Sequence, residues 1–147
     1  MKKTLFLDLE ETIVDNWNSF MFINVNKIKE FIKKENFTHV EIFSFAVENN
    51  DKKEMIERIP LIERVFNCKI NRFFTIEEIT EIIGIVSRFD LETHEIRQIF
   101  GKEFCLLKIL LKEDRKGEFT LLDDMIKHNL IISGENFKLN LINPETI

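Results

Sequence analysis

Residues 3–14 read KTLFLDLEETIV, and this stretch decides the fold that we expect. The three apolar residues that begin at Leu5 are too few for a helix but are typical of a buried parallel strand. The apolar run ends at Asp8, and Glu10 follows two residues later. Ligands of open α/β sheets bind at the carboxyl ends of the strands, so these acids are candidates for chemistry. The alternative is a strand that simply runs into a polar turn.

The rest of the chain alternates short apolar runs with amphipathic segments. These patterns predict further strands at residues 38–45, 68–74, 118–122, 130–132 and 138–142, and helices at residues 26–34, 51–66, 75–86, 93–100 and 104–111. Asp51 with Glu54, and Thr75 with Glu78, predict capping boxes, and Pro60 predicts a kink or break. Strands that alternate with helices indicate an α/β fold, with a mostly parallel central sheet flanked by helices in a three-layer, Rossmann-like arrangement.

Composition limits the class of protein. The chain has 147 residues, of which 44% are hydrophobic, and this suits one domain over residues 1–147. No apolar stretch approaches a membrane-spanning length, and a net charge of −5 without a basic stripe predicts no strong nucleic-acid footprint. Cys68 and Cys105 lie outside any zinc or redox pattern, so we expect free, buried thiols. We expect a soluble, cytoplasmic protein.

A short segment after the first strand has the composition of a flap. Residues 13–24 combine turn-forming residues with a β-prone stretch, which predicts a small hairpin or flap beside the carboxylates. Trp17 is interpreted as a packing residue in preference to a lid over a substrate.

Two adjacent acids, Asp123 and Asp124, end the strand predicted at residues 118–122. Neighbouring carboxylates repel each other, so this pair is costly unless a cation compensates it. In a parallel sheet the pair would converge with Asp8 at one edge. Three carboxylates without a histidine form an oxygen-only site, which favours Mg²⁺ over zinc.

Two further side chains would suit a phosphoryl group at the same edge. Ser44 ends the strand predicted at residues 38–45, and Lys102 opens the most apolar helix, where a cation opposes the helix dipole. A hydroxyl can orient a phosphoryl group, a lysine can neutralise its charge, and a carboxylate can attack phosphorus in line. A turn serine and a solvated lysine are the alternatives, and Lys69 is a second candidate for the cationic role.

The order of these motifs resembles that of the haloacid dehalogenase (HAD) superfamily of phosphohydrolases. The four matching stretches are LFLDLEETIV with Asp8 and Thr12, VEIFS with Ser44, GKEFCLLKIL with Lys102, and FTLLDD with Asp123 and Asp124. The resemblance covers residues 4–124.

The resemblance implies a role for each residue. Asp8 would be the nucleophile and a magnesium ligand, forming an aspartyl-phosphate, and Glu10 would be a catalytic acid and base and also a metal ligand through its backbone carbonyl. The phosphate-binding residues would be Thr12, Ser44 and Lys102, and the remaining metal ligands would be Asp123 and Asp124. The expected function is a Mg²⁺-dependent phosphomonoesterase.

One residue departs from the family pattern. Glu10 stands where the family has an aspartate, and a misplacement of about 1 Å can cost on the order of a hundredfold in rate. The alternative function is therefore a HAD-like protein with weakened catalysis that binds a phosphorylated ligand or a protein partner. A receiver domain is discounted because its paired acids end the first strand.

The family often carries a large cap domain, but residues 13–24 offer only a flap and residues 75–100 only a small helical insertion. A capless site would admit a nucleotide, a polynucleotide end or another phosphate ester, or would be covered by a second subunit of a homo-oligomer.

Overall fold

The computed structural model describes residues 2–84 and 101–147, which form an α/β fold. The strands are β1 (Lys3–Leu7), β2 (His39–Ile42), β3 (Arg72–Phe73), β4 (Gly117–Leu122), β5 (Leu130–Ser133) and β6 (Phe137–Ile142). The helices are α1 (Val25–Glu35), α2 (Lys52–Phe66), α3 (Ile76–Ile83) and α4 (Lys102–Lys112), with 3₁₀ turns at Asn49–Asp51 and Pro144–Thr146.

The six strands form one sheet in the order β3-β2-β1-β4-β6-β5. All neighbouring strands are parallel except β5 and β6, which are antiparallel. The sheet is therefore mostly parallel, and it is compatible with a Rossmann-like fold, as the sequence predicts.

The apolar run of β1 is buried on both faces of the sheet. Phe6 belongs to a core that includes side chains of α3 and α4, whereas Leu5 and Leu7 belong to a core that includes side chains of α1 and α2. Helices thus flank both faces, which explains why β1 is apolar at successive positions and shows no alternating pattern.

A buried ion pair links the end of α4 to the sheet. Arg115 follows α4 and binds the carboxylate of Glu41, a buried residue of β2, through both guanidinium nitrogens. The Arg115 guanidinium also lies 5.3 Å from the ring centroid of Phe6 and 5.5 Å from that of Phe119. These contacts satisfy a charge that would otherwise be unpaired inside the protein.

The strand predicted at residues 68–74 is wrong for most of its length, since β3 spans Arg72–Phe73 alone. Asn67 has the left-handed conformation that ends α2, and the backbone N–H of Cys68 donates to the Glu63 carbonyl. The N–H of Ile70 donates to the Glu63 carboxylate instead of to a strand. Cys68 and Ile70 therefore bond to the end of α2, although the apolar pattern of this segment predicts a strand.

The predicted capping box at Asp51 and Glu54 lies one turn too late. Glu48 and Asp51 form the box, in which the backbone N–H of Glu48 donates to Asp51 Oδ2 at 3.0 Å. The box opens a 3₁₀ turn that precedes α2, and glutamate is an uncommon capping residue. By contrast, Thr75 caps α3 as predicted, because its hydroxyl accepts from the N–H of Glu78 at 3.1 Å.

Helix α2 continues through Pro60, so the predicted break is absent. Pro60 and Ile56 both lie on the exposed side of α2, where water can bind the Ile56 carbonyl that proline leaves without its helical partner.

The end of the helix predicted at residues 75–86, the helix predicted at 93–100 and most of the predicted insertion at 75–100 lie outside the described residues. Within the described ranges, none of the helices has both the length and the apolar character needed to cross a membrane.

Gly117 permits the close approach of β4 to β1. Its φ is +127°, and a Cβ at this position would lie 2.6 Å from the backbone carbonyl oxygen of Lys2. We expect Gly117→Ala to lower the free energy of unfolding by about 2 kcal/mol or more, because both the backbone conformation and the contact oppose a side chain. Chemical denaturation would measure the change.

Gly84→Ala is the matched control. Gly84 also has a positive φ of +86°, but among the described residues the atom nearest to an added Cβ is the movable Lys112 Nζ at 3.4 Å. We expect a loss near 1 kcal/mol there, and equal losses in the two variants would contradict the role of the Lys2 contact.

Candidate functional site

Asp8 and Asp123 lie side by side because the register of the sheet places them there. Leu7 of β1 pairs with Leu122 of β4, and each aspartate is the next residue. The backbone N–H of Asp8 donates to the Leu122 carbonyl at 3.1 Å, so the pairing continues past the end of β1. The two acids that end separate apolar runs therefore converge at the carboxyl edge of the sheet, as predicted.

Lys102 provides a cation between these two carboxylates. Its Nζ lies 2.6 Å from Asp8 Oδ1 and 2.9 Å from Asp123 Oδ2. All three residues are buried, with 3% of Asp8, 6% of Lys102 and 1% of Asp123 exposed. Lys102 is the first residue of α4, so the helix start delivers its ammonium group to the sheet edge. The interpretation of Lys102 as a solvated lysine is wrong.

The shared ammonium does not affect the two carboxyl groups equally. Burial raises the pKa of Asp8 to about 8, since the attraction of Lys102 only partly offsets the desolvation and the charge of Asp123. Burial also opposes ionisation of Asp123, but Lys102 and the N–H of Met125 hold its pKa below the ordinary value. Asp8 is therefore the carboxyl group that retains a proton near neutral pH in the metal-free site.

The ammonium of Lys102 remains charged. Burial disfavours its charged form, but the neighbouring carboxylates of Asp8 and Asp123 outweigh that effect and raise the pKa of Lys102. Lys102 therefore provides a fixed positive charge in the site.

Thr12 joins the loops that follow β1 and β4. Its hydroxyl donates to Asp8 Oδ2 at 3.1 Å and accepts from the backbone N–H of Asp124 at 3.1 Å. Thr12 is buried and is absent from the lining of the cavity described below. The structure thus places Thr12 behind Asp8, where it orients that carboxyl group.

Asp8, Asp123 and Asp124 form a cluster that fits a metal ion. Each offers one carboxylate oxygen, and the three oxygens lie within 4.8 Å of one another. This donor set contains oxygen alone, which suits a hard divalent cation such as Mg²⁺ without being specific for it. Burial raises the pKa of Asp124.

A cavity of about 290 Å³ opens onto Asp8, Asp124 and Lys102. Ser44, which follows β2, reaches the same cavity, and its Oγ accepts from the backbone N–H of Ala46 at 3.1 Å. The predicted site residues are thus brought together at one cavity or directly behind it. Among the described residues, the lining consists of Asp8, Glu10, Glu11, Asp15, Asn16, Ser44, Lys102, Asp124 and Met125.

Glu10 also lines the cavity, and its carboxylate is attached to the flap. The backbone N–H of Trp17 donates to Glu10 Oε2 at 2.9 Å. Residues 13–24 form the predicted hairpin-like flap, with a bridge between Val14 and Phe22. The indole of Trp17 packs against the Arg58 guanidinium at 4.4 Å and the Phe20 ring at 5.7 Å, in agreement with the packing interpretation.

Sequence reasoning missed the rim of the cavity. Asp15, Asn16 and Glu11 belong to the loop and flap after β1, and Met125 follows the paired acids. Glu11 is one of the acids that end the first apolar run, and Asp15 and Asn16 lie in the predicted flap, but no motif gave these three residues a role, and no signal marks Met125. Lys69, the second candidate for the cationic role, is exposed and does not line the cavity.

Comparisons of the chain with protein-family models, with curated proteins and with solved structures found no match.

The raised pKa of Asp8 predicts how stability depends on pH without metal. The unfolded carboxyl group ionises near its ordinary value of 3.8, whereas the folded one keeps its proton up to about pH 8. The unfolded state therefore binds fewer protons in this window, and we expect the free energy of unfolding to fall as the pH rises through it. In the Asp8→Asn variant, the free energy of unfolding should fall less steeply as the pH rises. Denaturation at several pH values in a chelating buffer would measure this.

Asp114→Asn is the control for this measurement, because Asp114 is exposed and remote from the cavity lining. Its profile should follow that of the wild-type protein. Parallel profiles for the wild-type protein and Asp8→Asn would contradict the assignment to Asp8.

Proposed function

We propose that this chain is a Mg²⁺-dependent phosphomonoesterase with a three-layer, HAD-like fold and an aspartyl-phosphate intermediate on Asp8. The observation that carries this proposal is the position of Lys102 Nζ, 2.6 Å from Asp8 Oδ1 and 2.9 Å from Asp123 Oδ2, in a cavity that Ser44 also lines. A nucleophilic carboxylate, a fixed cation and a hydroxyl at one cavity are the groups that phosphoryl transfer requires.

In the first step, a carboxylate oxygen of Asp8 attacks phosphorus, and the bond between phosphorus and the leaving-group oxygen breaks. Lys102 stabilises the negative charge of the transferring group, and Ser44 orients it. The Thr12 hydroxyl holds Asp8 Oδ2, which leaves the carboxyl group with a defined orientation for in-line attack.

Glu10 is the residue that would move the proton. Its protonated carboxyl group donates to the departing alkoxide, and the resulting carboxylate then accepts a proton from the water that hydrolyses the aspartyl-phosphate. The hydrogen bond from the Trp17 N–H determines where this carboxylate lies before substrate binds. Movement of the flap would therefore shift the catalytic acid.

Mg²⁺ fits the carboxylates of Asp8, Asp123 and Asp124, where it would supply positive charge for the phosphoryl oxygens. A bound cation would also favour the ionised form of Asp8, which is the nucleophilic form.

The rim of the cavity favours substrates with one phosphate group. Glu11 and Asp15 add carboxylates to the lining, while Lys102 is the single cation among the lining residues that the structure describes. Additional phosphate groups on a leaving group would meet this negative charge. We therefore expect monophosphates to be better substrates than diphosphates or triphosphates.

We expect Mg²⁺-dependent release of phosphate from an aryl phosphate and from members of a panel of sugar and nucleoside monophosphates. Asp8→Asn should lower kcat by about a thousandfold or more, because an amide cannot form the acyl phosphate. Asp114→Asn, the exposed control, should retain activity. An active Asp8→Asn variant would refute the mechanism.

The role of Glu10 predicts a dependence on the leaving group. Glu10→Gln cannot supply a proton, so we expect kcat/KM, which reports formation of the aspartyl-phosphate alone, to fall by about a hundredfold for an alkyl phosphate. The loss should be smaller for an aryl phosphate with an acidic phenol, which departs without a proton. Equal losses for both substrates would show that Glu10 is not the general acid.

The second candidate function is a catalytically weakened HAD-like protein that binds a phosphorylated ligand or a protein partner. The observation that favours it is the attachment of the Glu10 carboxylate to the flap. A wild-type protein without activity, together with an active Glu10→Asp variant, would support this alternative.

A further inference from the structure

Arg58 of helix α2 contacts the flap from outside the cavity. Its side chain is only 17% exposed, and α2 contributes none of the described residues that line the cavity. The guanidinium carbon lies 4.4 Å from the ring centroid of Trp17 and 4.3 Å from that of Phe20. Both rings belong to the flap, so the charge of Arg58 is placed against the aromatic side of that segment.

Hydrogen bonds fix the same guanidinium group. Its Nη1 donates to the backbone carbonyl of Trp17 at 2.6 Å, and its Nη2 forms an ion pair with Glu54, one turn earlier in α2. A planar guanidinium with partners on two nitrogens has a defined orientation. Arg58 therefore holds Trp17 through both its main chain and its side chain.

The flap has a fixed conformation of its own. The N–H of Asp15 donates to the Met21 carbonyl, and the N–H of Met21 donates to Asp15 Oδ1, both at 2.9 Å. Phe20 adopts a φ of +48°, which is uncommon for an aromatic residue. The rings of Phe20 and Phe22 are 5.6 Å apart, and Phe22 lies 5.8 Å from Phe66 of α2. The flap is therefore a preformed unit that rests on α2.

Trp17 connects this unit to the candidate site. Its backbone N–H donates to Glu10 Oε2 at 2.9 Å, while its carbonyl accepts from Arg58. Glu10 follows β1 and lines the cavity. One residue of the flap thus bonds to α2 on one side and to the carboxyl group of Glu10 on the other, so a shift of Trp17 would also shift that group.

We infer that Arg58 is a positioning residue, which acts through Trp17 to place the carboxyl group of Glu10 beside the leaving group. The inference rests on the proposed function, in which Glu10 is the general acid. Since α2 lies outside the described lining, the effect of Arg58 on the reaction passes through the flap. A displacement of about 1 Å can cost on the order of a hundredfold in rate, so a partial loss of position has a measurable effect.

Arg58→Met tests the inference, because methionine keeps an apolar side chain of similar length but removes the charge and the hydrogen bonds. We expect kcat/KM to fall by about tenfold for an alkyl phosphate and by less than about twofold for an aryl phosphate with an acidic phenol, since only the first needs the proton of Glu10. Arg58→Lys keeps a charged donor and should recover part of the loss. Arg64→Met, at an exposed arginine of the same helix, should leave both values unchanged.

A double variant tests whether the effect passes through Glu10. In the Glu10→Gln background, we expect Arg58→Met to lower kcat/KM for the alkyl phosphate by less than about twofold, because the acid that Arg58 positions is already absent. Losses that multiply in the double variant would overturn the inference. Equal losses for the two substrates in Arg58→Met would also overturn it.

Amide hydrogen exchange tests the attachment without any substrate. We expect the Trp17 N–H to exchange about tenfold faster in Arg58→Met than in the wild-type protein, while the amides of β1 keep their rates. Arg64→Met should not change the exchange of Trp17. An unchanged rate at Trp17 in Arg58→Met would overturn the inference whether or not the protein is active. An inactive wild-type protein would instead refute the proposed function, and faster exchange in Arg58→Met would still support the attachment of Glu10 through Arg58.

Discussion

The ammonium of Lys102, held between two buried carboxylates, is the interaction on which the site depends. Burying an ammonium group and two ionisable carboxyl groups is costly, and close mutual contacts are what offset that cost. The contacts exist only if β1, β4 and the start of α4 are all in place, since the residues come from positions 8, 123 and 102. The carboxyl edge of the sheet therefore holds the candidate site, and the burial of charge there lowers the stability of the fold.

Helix α4 is fixed at both ends by charge. Lys102 attaches its first residue to the acids after β1 and β4, and Arg115, just beyond its last turn, attaches it to Glu41 of β2. Between these ends, apolar residues such as Cys105 and Ile109 pack in the core with Phe6. The ion pairs at its two ends thus fix the position of α4 along the strands in addition to the apolar packing.

Local signals made much of the site predictable. The acids Asp8 and Asp123 each follow an apolar run, and Lys102 opens an apolar helix, so each position could be assigned from its own neighbours. The contacts of Thr12 with Asp8 and Asp124 depend on which strands are adjacent, and no local pattern encodes that adjacency. For the same reason the placement of β6 between β4 and β5 could not be predicted. The length of β3 could not be predicted for another reason. Its apolar pattern begins at Cys68, but Cys68 and Ile70 form hydrogen bonds with the end of α2 and so lie outside the strand.

The central place of β1 in the sheet has a consequence for synthesis on the ribosome. One neighbour, β2, follows after about 30 residues, but the other, β4, begins only at Gly117. At a translation rate of about 5–20 residues per second, the apolar β1 waits several seconds for its second partner. During that interval the nascent chain carries an uncovered hydrophobic strand, which is the kind of segment that chaperones bind. The residues of β1 are therefore made before both of their neighbouring strands and reach their final environment only when β4 is complete.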